Sequence, residues 1–526
     1  MMYDKLPRRL RRFLARYPAN SKATAIRAEL GTASVPRAST LERVIAVQCV
    51  EDPFYVGLFS AICQQMRVAN GATGELVVIR SVINGAVGCG WLRRLARSAI
   101  GVIVSAQWVR AFREAGRRVA YRSLSLARPA GDIVDWFRSR AIWRHERLNP
   151  DISKVQILNV QVGDLIIDSY LRFRPSPRLD MADPFVLWLI WQAHRDIRRA
   201  RAYFRTRRPK LYLTSYSTYV DHGIAVRVAL QEGVRVRSFG NFTQFGKELS
   251  SSDWFHTPAT TNYKSVFETL DRQDERRAEA EQQLRVRLSG GIDPATSYMR
   301  ASAYAGEGGP PPDATGAVVV FLHDFYDSPH VYDELIFPDF WTWTCFTIDT
   351  LQQQGRKFFV KPHPNQIQLS DAVLGQLREK YPALPLLSAN VSNARLAAAG
   401  MICGVTVYGT VGHELAYLGI PTIACAKHPH HSFDFCRTAR TLEQYTEYLR
   451  TAEALPISKE QMRHQALEFY YMHNLHGDAD TLSLRSRFID FWRACNGSDV
   501  PDAIVVRKFR ELCDSPGFKA LTARLP

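Results

Sequence analysis

The sequence predicts an α/β protein of two lobes with a cleft between them and helices at the end of the chain. Three observations predict it. Apolar strand-like runs alternate with helical stretches over residues 40–282, and the same alternation starts again over 317–450. Between them lies the break Gly306-Glu307-Gly308-Gly309-Pro310-Pro311-Pro312, the strongest linker signal in the chain. Strands that alternate with helices build a mainly parallel sheet covered on both faces.

The elements follow in order. Residues 1–39 read as a basic arm, with Leu6, Leu10, Phe13, Leu14 and Tyr17 near helical spacing and Arg8, Arg9, Arg11, Arg12 and Arg16 between them. It is either a solvated helix on the first lobe or an interfacial helix on anionic lipid. In the lobe over 40–282, Val44-Ile45-Ala46-Val47 is a buried strand, and a helix follows over 55–66. Further strands are expected at 76–80, 118–121, 211–215 and 234–239, with a long helix over 185–205 and an exposed, charged one over 271–287. Residues 283–316 form the linker. In the lobe over 317–450, strands are expected at 318–322, 357–361, 401–405 and 422–424, and helices at 340–353 and 411–418. Residues 451–526 read as helices.

Composition narrows the partners. Lys and Arg total 68 against 51 Asp and Glu, a formal charge of +17, which favours anionic partners such as nucleotides, acidic glycans or phospholipid headgroups. The basic residues are spread along the chain without an aromatic-interleaved module, so nucleic acid is not expected. The nine cysteines include no CxxC pair and read as reduced, buried thiols of a cytosolic protein. No signal peptide and no apolar run of spanning length is visible, so membrane contact is expected to be peripheral.

Ligands in parallel α/β folds bind outside the carboxyl ends of the strands. Three such ends in the second lobe are rich in polar groups. The first carries His323 and Asp324. The second is Lys361-Pro362-His363-Pro364-Asn365, where prolines on both sides of His363 stiffen its backbone; a turn with a satisfied histidine is the plainer alternative. The third is Thr406-Val407-Tyr408-Gly409-Thr410, which opens a helix whose free N–H groups, with the Thr410 hydroxyl, suit a phosphate. Glu414, one turn in, would accept from ribose hydroxyls or pair with the helix dipole. His428, His430 and His431 cluster after a strand with Asp434 as the one further ligand in view, and no metal is expected there. There is no GxxxxGK[ST] phosphate loop, no dinucleotide fingerprint and no HExxH.

The stretch Lys361-Pro362-His363-Pro364, followed by Val407-Tyr408-Gly409-Thr410-Val411-Gly412-His413-Glu414-Leu415-Ala416-Tyr417-Leu418-Gly419-Ile420-Pro421, resembles the capsule polysaccharide biosynthesis family. That family includes transferases that add Kdo sugars to capsule lipid anchors. His323-Asp324 and Phe337-Pro338-Asp339-Phe340 are similar too, and Tyr219-Val220-Asp221-His222-Gly223 more loosely. The resemblance covers roughly residues 317–427. It implies a GT-B-like fold of two Rossmann-like lobes, with the nucleotide-sugar donor on the second lobe and the acceptor on the first. It also implies that the His-Pro motif contacts the donor phosphate. Thr406-Val407-Tyr408 stands where relatives often carry adjacent serines, which leaves the donor base open.

The expected activity is metal- and cofactor-independent transfer of a sugar from a nucleotide donor to a bacterial surface polysaccharide or its glycolipid primer. It would take place at the cytoplasmic face of the inner membrane. Donor contacts are expected from His323, Asp324, Lys361, His363, Asn365, Thr406, Tyr408, Gly409, Thr410 and Glu414. A first-lobe group must take the acceptor proton. The candidates are Asp52 after the first strand, Asp168 one helical turn from Asp164, and Asp221 and His222 after the strand at 211–215. Each has a cap or a surface charge as its alternative role. Other readings are a nucleotide-sugar epimerase, a polyol-phosphate transferase, and a non-catalytic glycan- or nucleotide-binding protein.

Overall fold

The computed structural model describes residues 20–31, 44–77, 108, 111–112, 129–149, 151–174, 176–297, 312–364, 366 and 368–525. The amphipathic stretch of the basic arm, the expected strand at 118–121, residues 306–311 of the glycine- and proline-rich break, and Asn365 lie outside the described residues.

The first lobe is built on β1 (Val44–Gln48) and β2 (Thr73–Val77), a short hairpin of β3 (Gln156–Ile157) and β4 (Val160–Gln161), then β5 (Leu211–Thr214), β6 (Arg235–Phe239) and β7 (Gly246–Leu249). Its sheet runs β2-β1-β5-β6-β7, parallel except for β7, which pairs antiparallel with β6 at the edge. β1 is buried at four of its five positions and β5 at all four, because helices cover both faces. Helix Pro53–Asn70 starts where Asp52 accepts from the Phe54 N–H at 2.7 Å and Pro53 fixes the first turn. Helix Pro184–Arg207 starts the same way on Asp183 and Pro184.

The second sheet holds β8 (Val318–Phe321), β9 (Phe358–Lys361), β10 (Cys403–Val405), β11 (Thr422–Ala424) and β12 (Cys436–Thr438) in the order β12-β11-β10-β8-β9, all parallel. Helices Phe340–Gln353 and Val411–Tyr417 lie where the sequence places them. The molecule is thus a two-lobed α/β protein of the kind the alternation predicts.

The chain ends divide between the lobes. Helix Lys459–Asn474 shares a core with helix Gln273–Leu288 and with Ala416 and Tyr417 of the second lobe. Helices Ala479–Asn496, Asp502–Cys513 and Pro516–Ala523 cross back and bury Phe488, Phe491, Phe509 and Phe518 against Phe54, Phe59 and Phe239 of the first. No helix among the described residues is long and apolar enough to cross a membrane. The eight described cysteines are free thiols, and six of them are buried.

Each sheet has a point where the chain reverses its direction of strand addition. In the first, β1 lies between β2 and the later β5; in the second, β8 lies between β9 and the later β10. The connecting loops part at such points, which leaves a crevice at the carboxyl ends of the two central strands.

Candidate active site

Both crevices are spanned by polar side chains. In the second lobe, His323 follows β8 and Thr406 follows β10, and His323 Nε2 lies 3.1 Å from Thr406 Oγ1. The imidazole stacks on Phe340, with ring centres 4.8 Å apart, and lies 4.6 Å from the Tyr408 ring. Burial, with the His363 charge second, pushes His323 down to about 3, so at neutral pH it is a neutral hydrogen-bonding group. Asp324 accepts from Ser370 Oγ at 2.7 Å and from the Tyr326 N–H at 3.0 Å. His363 is partly exposed; burial lowers its proton affinity, partly opposed by Asp324.

Lys361 and Glu414 are held in buried contacts of their own. Lys361 is buried, and its Nζ donates to the Ala389 carbonyl at 2.9 Å. Burial pushes its ammonium down to about 8, against the raising charge of Glu414. Glu414 is also buried, in an ion pair with Arg287 at 2.7 Å and a hydrogen bond from Asn393 Nδ2 at 2.6 Å. Together they tie the end of β9, the 388–393 loop and helix Val411–Tyr417 to helix Gln273–Leu288. Glu414→Ala is therefore expected to destabilise the fold by about 3–5 kcal/mol, the cost of removing one partner from a buried ion pair. Urea unfolding measures it, and unchanged stability would count against this placement. Thr410 is exposed at the head of helix Val411–Tyr417, and the Gly409 N–H donates to Thr406 Oγ1 at 3.2 Å.

In the first lobe, Gln48 ends β1 and Ser215 follows β5. Gln48 Oε1 accepts from the Ser215 N–H and Oγ, both at 2.8 Å, and from Thr214 Oγ1 at 3.0 Å. Its Nε2 therefore donates to His222 Nδ1 at 2.9 Å, which leaves the His222 proton on Nε2. His222 is thus a donor toward the crevice, not a proton acceptor. Burial, partly opposed by Asp221, lowers its proton affinity. It sits in the π-helical turn Tyr219–Gly223, where Tyr219 has a positive φ of 62°, an uncommon and costly conformation for a non-glycine residue. Tyr216, 40% exposed, lies beside His222 and His256 with ring centres 6.0 and 5.3 Å away.

The remaining base candidates separate. Asp52 is a helix cap. Asp221 accepts from Gln192 Nε2 at 2.6 Å beside Asp196, a carboxyl that burial, with the Asp221 charge second, pushes up to about 8. Asp168 reaches the other lobe: its Oδ1 lies 2.7 Å from Nδ1 of His330, on the 3-10 turn Pro329–Val331 that follows β8. Burial lowers the proton affinity of His330, but the Asp168 carboxylate more than offsets it, with help from Asp164 and Asp151, and His330 titrates above the ordinary histidine range.

Asp168 lies on helix Gly163–Phe173, whose other inward carboxylate, Asp164, is fixed by the buried Arg227 at 2.7 Å. Arg227 in turn lies over Trp254 at 4.7 Å. His330, Asp164 and Trp254 face a cavity of about 970 Å³ between the lobes, with Lys154 and Gln156 on one wall and Tyr332, Asp333 and Arg440 on the other. A further strut joins the lobes where Thr257 Oγ1 donates to the Val331 carbonyl at 3.0 Å. Tyr408 Oη donates to the Ser328 carbonyl at 3.0 Å, which ties the second-lobe crevice to the turn that carries His330.

No protein-family profile and no curated protein matches the chain. Among solved structures it is similar to the beta Kdo 2,4 transferase KpsC of Thermosulfurimonas dismutans, at 12% identity and TM-score 0.29, over 50% of this chain and 79% of that one. It is also similar to the UDP-GlcNAc 2-epimerase of Neisseria meningitidis bound to UDP-GlcNAc, at 7% identity and TM-score 0.23, over 81% and 97% of the two chains. The UDP-GlcNAc 2-epimerase of Methanocaldococcus jannaschii matches at 7% identity and TM-score 0.25, over 80% and 98%.

Proposed function

We propose that this chain transfers a sugar from a nucleotide-sugar donor to a glycan acceptor in the cleft between its lobes. The observation that carries the reading is the Asp168–His330 pair, joined across the lobes at 2.7 Å, with His330 on the wall of the 970 Å³ cavity. A neutral histidine with its Nδ1 held by a buried carboxylate presents Nε2 to a substrate hydroxyl, and the carboxylate stabilises the imidazolium that forms. An acceptor hydroxyl gives its proton to His330 Nε2, and its oxygen bonds to the anomeric carbon as the bond from that carbon to the donor phosphate oxygen breaks.

The donor is assigned to the second-lobe crevice. His323, neutral and clamped between Phe340 and Tyr408, bonds Thr406 there, and His363 presents its ring from the rigid Pro362-His363-Pro364 turn. These groups, with the amides after Gly409, would hold the phosphates; turnover is expected without added magnesium or manganese, since hydrogen-bond donors meet the leaving group. Lys361 and Glu414 support this wall from behind. Tyr216 offers an aromatic face to a sugar ring, and His222 a hydrogen-bond donor beside it. The resemblance of the 361–364 and 407–421 stretches to capsule enzymes supports a bacterial surface polysaccharide or its glycolipid primer as acceptor. The basic arm over 1–17 would then hold the protein at an anionic membrane surface.

Thermal unfolding with a panel of CMP-, UDP- and GDP-sugars tests the donor assignment. At a hundred times its dissociation constant, a matching donor contributes about 2.7 kcal/mol, roughly a 5–10 °C rise in Tm. His363→Ala is expected to lose that rise with the ligand-free Tm unchanged. A panel without any shift, or a shift that survives in His363→Ala, would sink the assignment.

A further inference from the structure

The connection from β11 to β12 carries a cluster of which the sequence shows only the histidines. Asp434, the ligand the local spacing offers, turns outward to Lys264 at 2.5 Å. Cys436, the first residue of β12, comes instead beside His428 and His430, and one ligand atom from each of the three lies within 4.8 Å of the others. His428 and His430 are each 1% exposed and Cys436 9%.

The histidines are prepared in an unusual way. Thr438 Oγ1 holds His428 Nε2 at 2.7 Å, while His428 Nδ1 is buried without a hydrogen-bond partner. A threonine hydroxyl that accepts from Nε2–H places the free lone pair on Nδ1. His430 has neither ring nitrogen partnered, although its ring is buried against Phe435 at 4.9 Å and its centre lies 3.9 Å from that of His428. Buried polar atoms are nearly always partnered, and three orphaned imidazole nitrogens beside one thiol call for a ligand.

We infer that His428, His430 and Cys436 form a site for a thiophilic divalent cation, best matched by Zn²⁺. Two imidazoles and a thiolate suit zinc, whereas magnesium and calcium demand oxygen donors. Cys436 binds as the thiolate, so the ion displaces the thiol proton. Binding joins Zn²⁺ to Cys436 Sγ and two imidazole nitrogens and releases one proton, with the fourth position left to a water molecule. Thr438 orients His428 from outside the coordination sphere. A Cβ at Gly412 would meet His430 Nε2 at 2.5 Å, so the His430 ring rests on the bare backbone of helix Val411–Tyr417. The ion would thereby pin that helix, and the Thr406–Thr410 turn before it, to the end of the sheet.

Cobalt(II) titration of the full-length, chelator-treated protein tests the inference without reference to activity. One equivalent is expected to bind with a sulfur-to-cobalt charge-transfer band in the near ultraviolet and four-coordinate d–d bands, and Zn²⁺ should abolish both. Cys436→Ser is expected to lose the charge-transfer band. Thr438→Val, which keeps all three ligands, is expected to bind Zn²⁺ about 10–100-fold more weakly and guards against a serine variant that fails to fold. Failure to take up cobalt, a spectrum without the thiolate band, or Thr438→Val with unchanged affinity would each overturn the site.

Discussion

Asp168→Asn is expected to lower turnover about 10²–10⁴-fold, the usual worth of a positioned acid or base, while the protein stays folded. The larger information is in the pH profile. Only neutral His330 can accept a proton, so activity falls as pH drops through the imidazole's titration. Asp168, Asp164 and Asp151 all raise that titration above the ordinary histidine value of 6.5, against burial. The wild-type acid limb should therefore lie above 6.5, and in Asp168→Asn it should move down, because the nearest raising charge is gone. His330→Ala should lose the limb altogether. Asp221→Asn, whose carboxylate is bonded to Gln192, should leave the limb in place. An Asp168→Asn enzyme within roughly threefold of wild-type turnover, or with an unmoved acid limb, would remove the pair from the chemistry.

Gly163→Ala should produce a large loss of stability. Gly163 opens the helix that carries Asp164 and Asp168, and a Cβ there would meet the Ile152 carbonyl oxygen at 1.6 Å. That oxygen is backbone, so either the 151–155 loop or the helix must move. The expected cost is about 3 kcal/mol or more, a fall of roughly 6–12 °C in Tm. Activity should fall further than stability, because the displaced helix takes Asp168 away from His330. Gly375→Ala is the control. It lies in helix Gln368–Lys380 with open space around its Cβ position and should gain about 0.5–1 kcal/mol. Equal melting temperatures for the two variants would show that the close approach at Gly163 is not what fixes the helix.

The lobes were legible because their strands are short, apolar and separated by amphipathic helices; Val318–Phe321 and Leu211–Thr214 are buried at every position. β7 was not, since its Gly-Lys-Glu-Leu sequence has only two buried positions and its pairing comes from β6. That Asp164 and Asp168 lie one helical turn apart was legible in the sequence. The partner of Asp168, His330, lies 162 residues away, and only the fold brings the two together. Gln48 was missed because a single glutamine after an apolar strand looks like any strand end. Its role appears only once β5 lies alongside β1. Lys361 and Glu414 stand at strand and helix ends where donor contacts are expected, but Arg287, from outside the motif, draws Glu414 inward. Cys436 escaped notice for the same reason: β11 and β12 must pair before His428, His430 and the thiol meet.

Sugar transfer between the lobes is tested most directly by product analysis. The full-length protein is incubated with the nucleotide sugar that stabilises it, with and without an oligosaccharide acceptor, and both nucleotide and glycan products are measured by mass spectrometry and NMR. Transfer predicts free nucleotide and an acceptor heavier by one sugar, only when acceptor is present, and neither with His330→Ala. An isomerised nucleotide sugar formed without acceptor would make the chain an epimerase and contradict the account, as would an acceptor left unchanged beside intact donor.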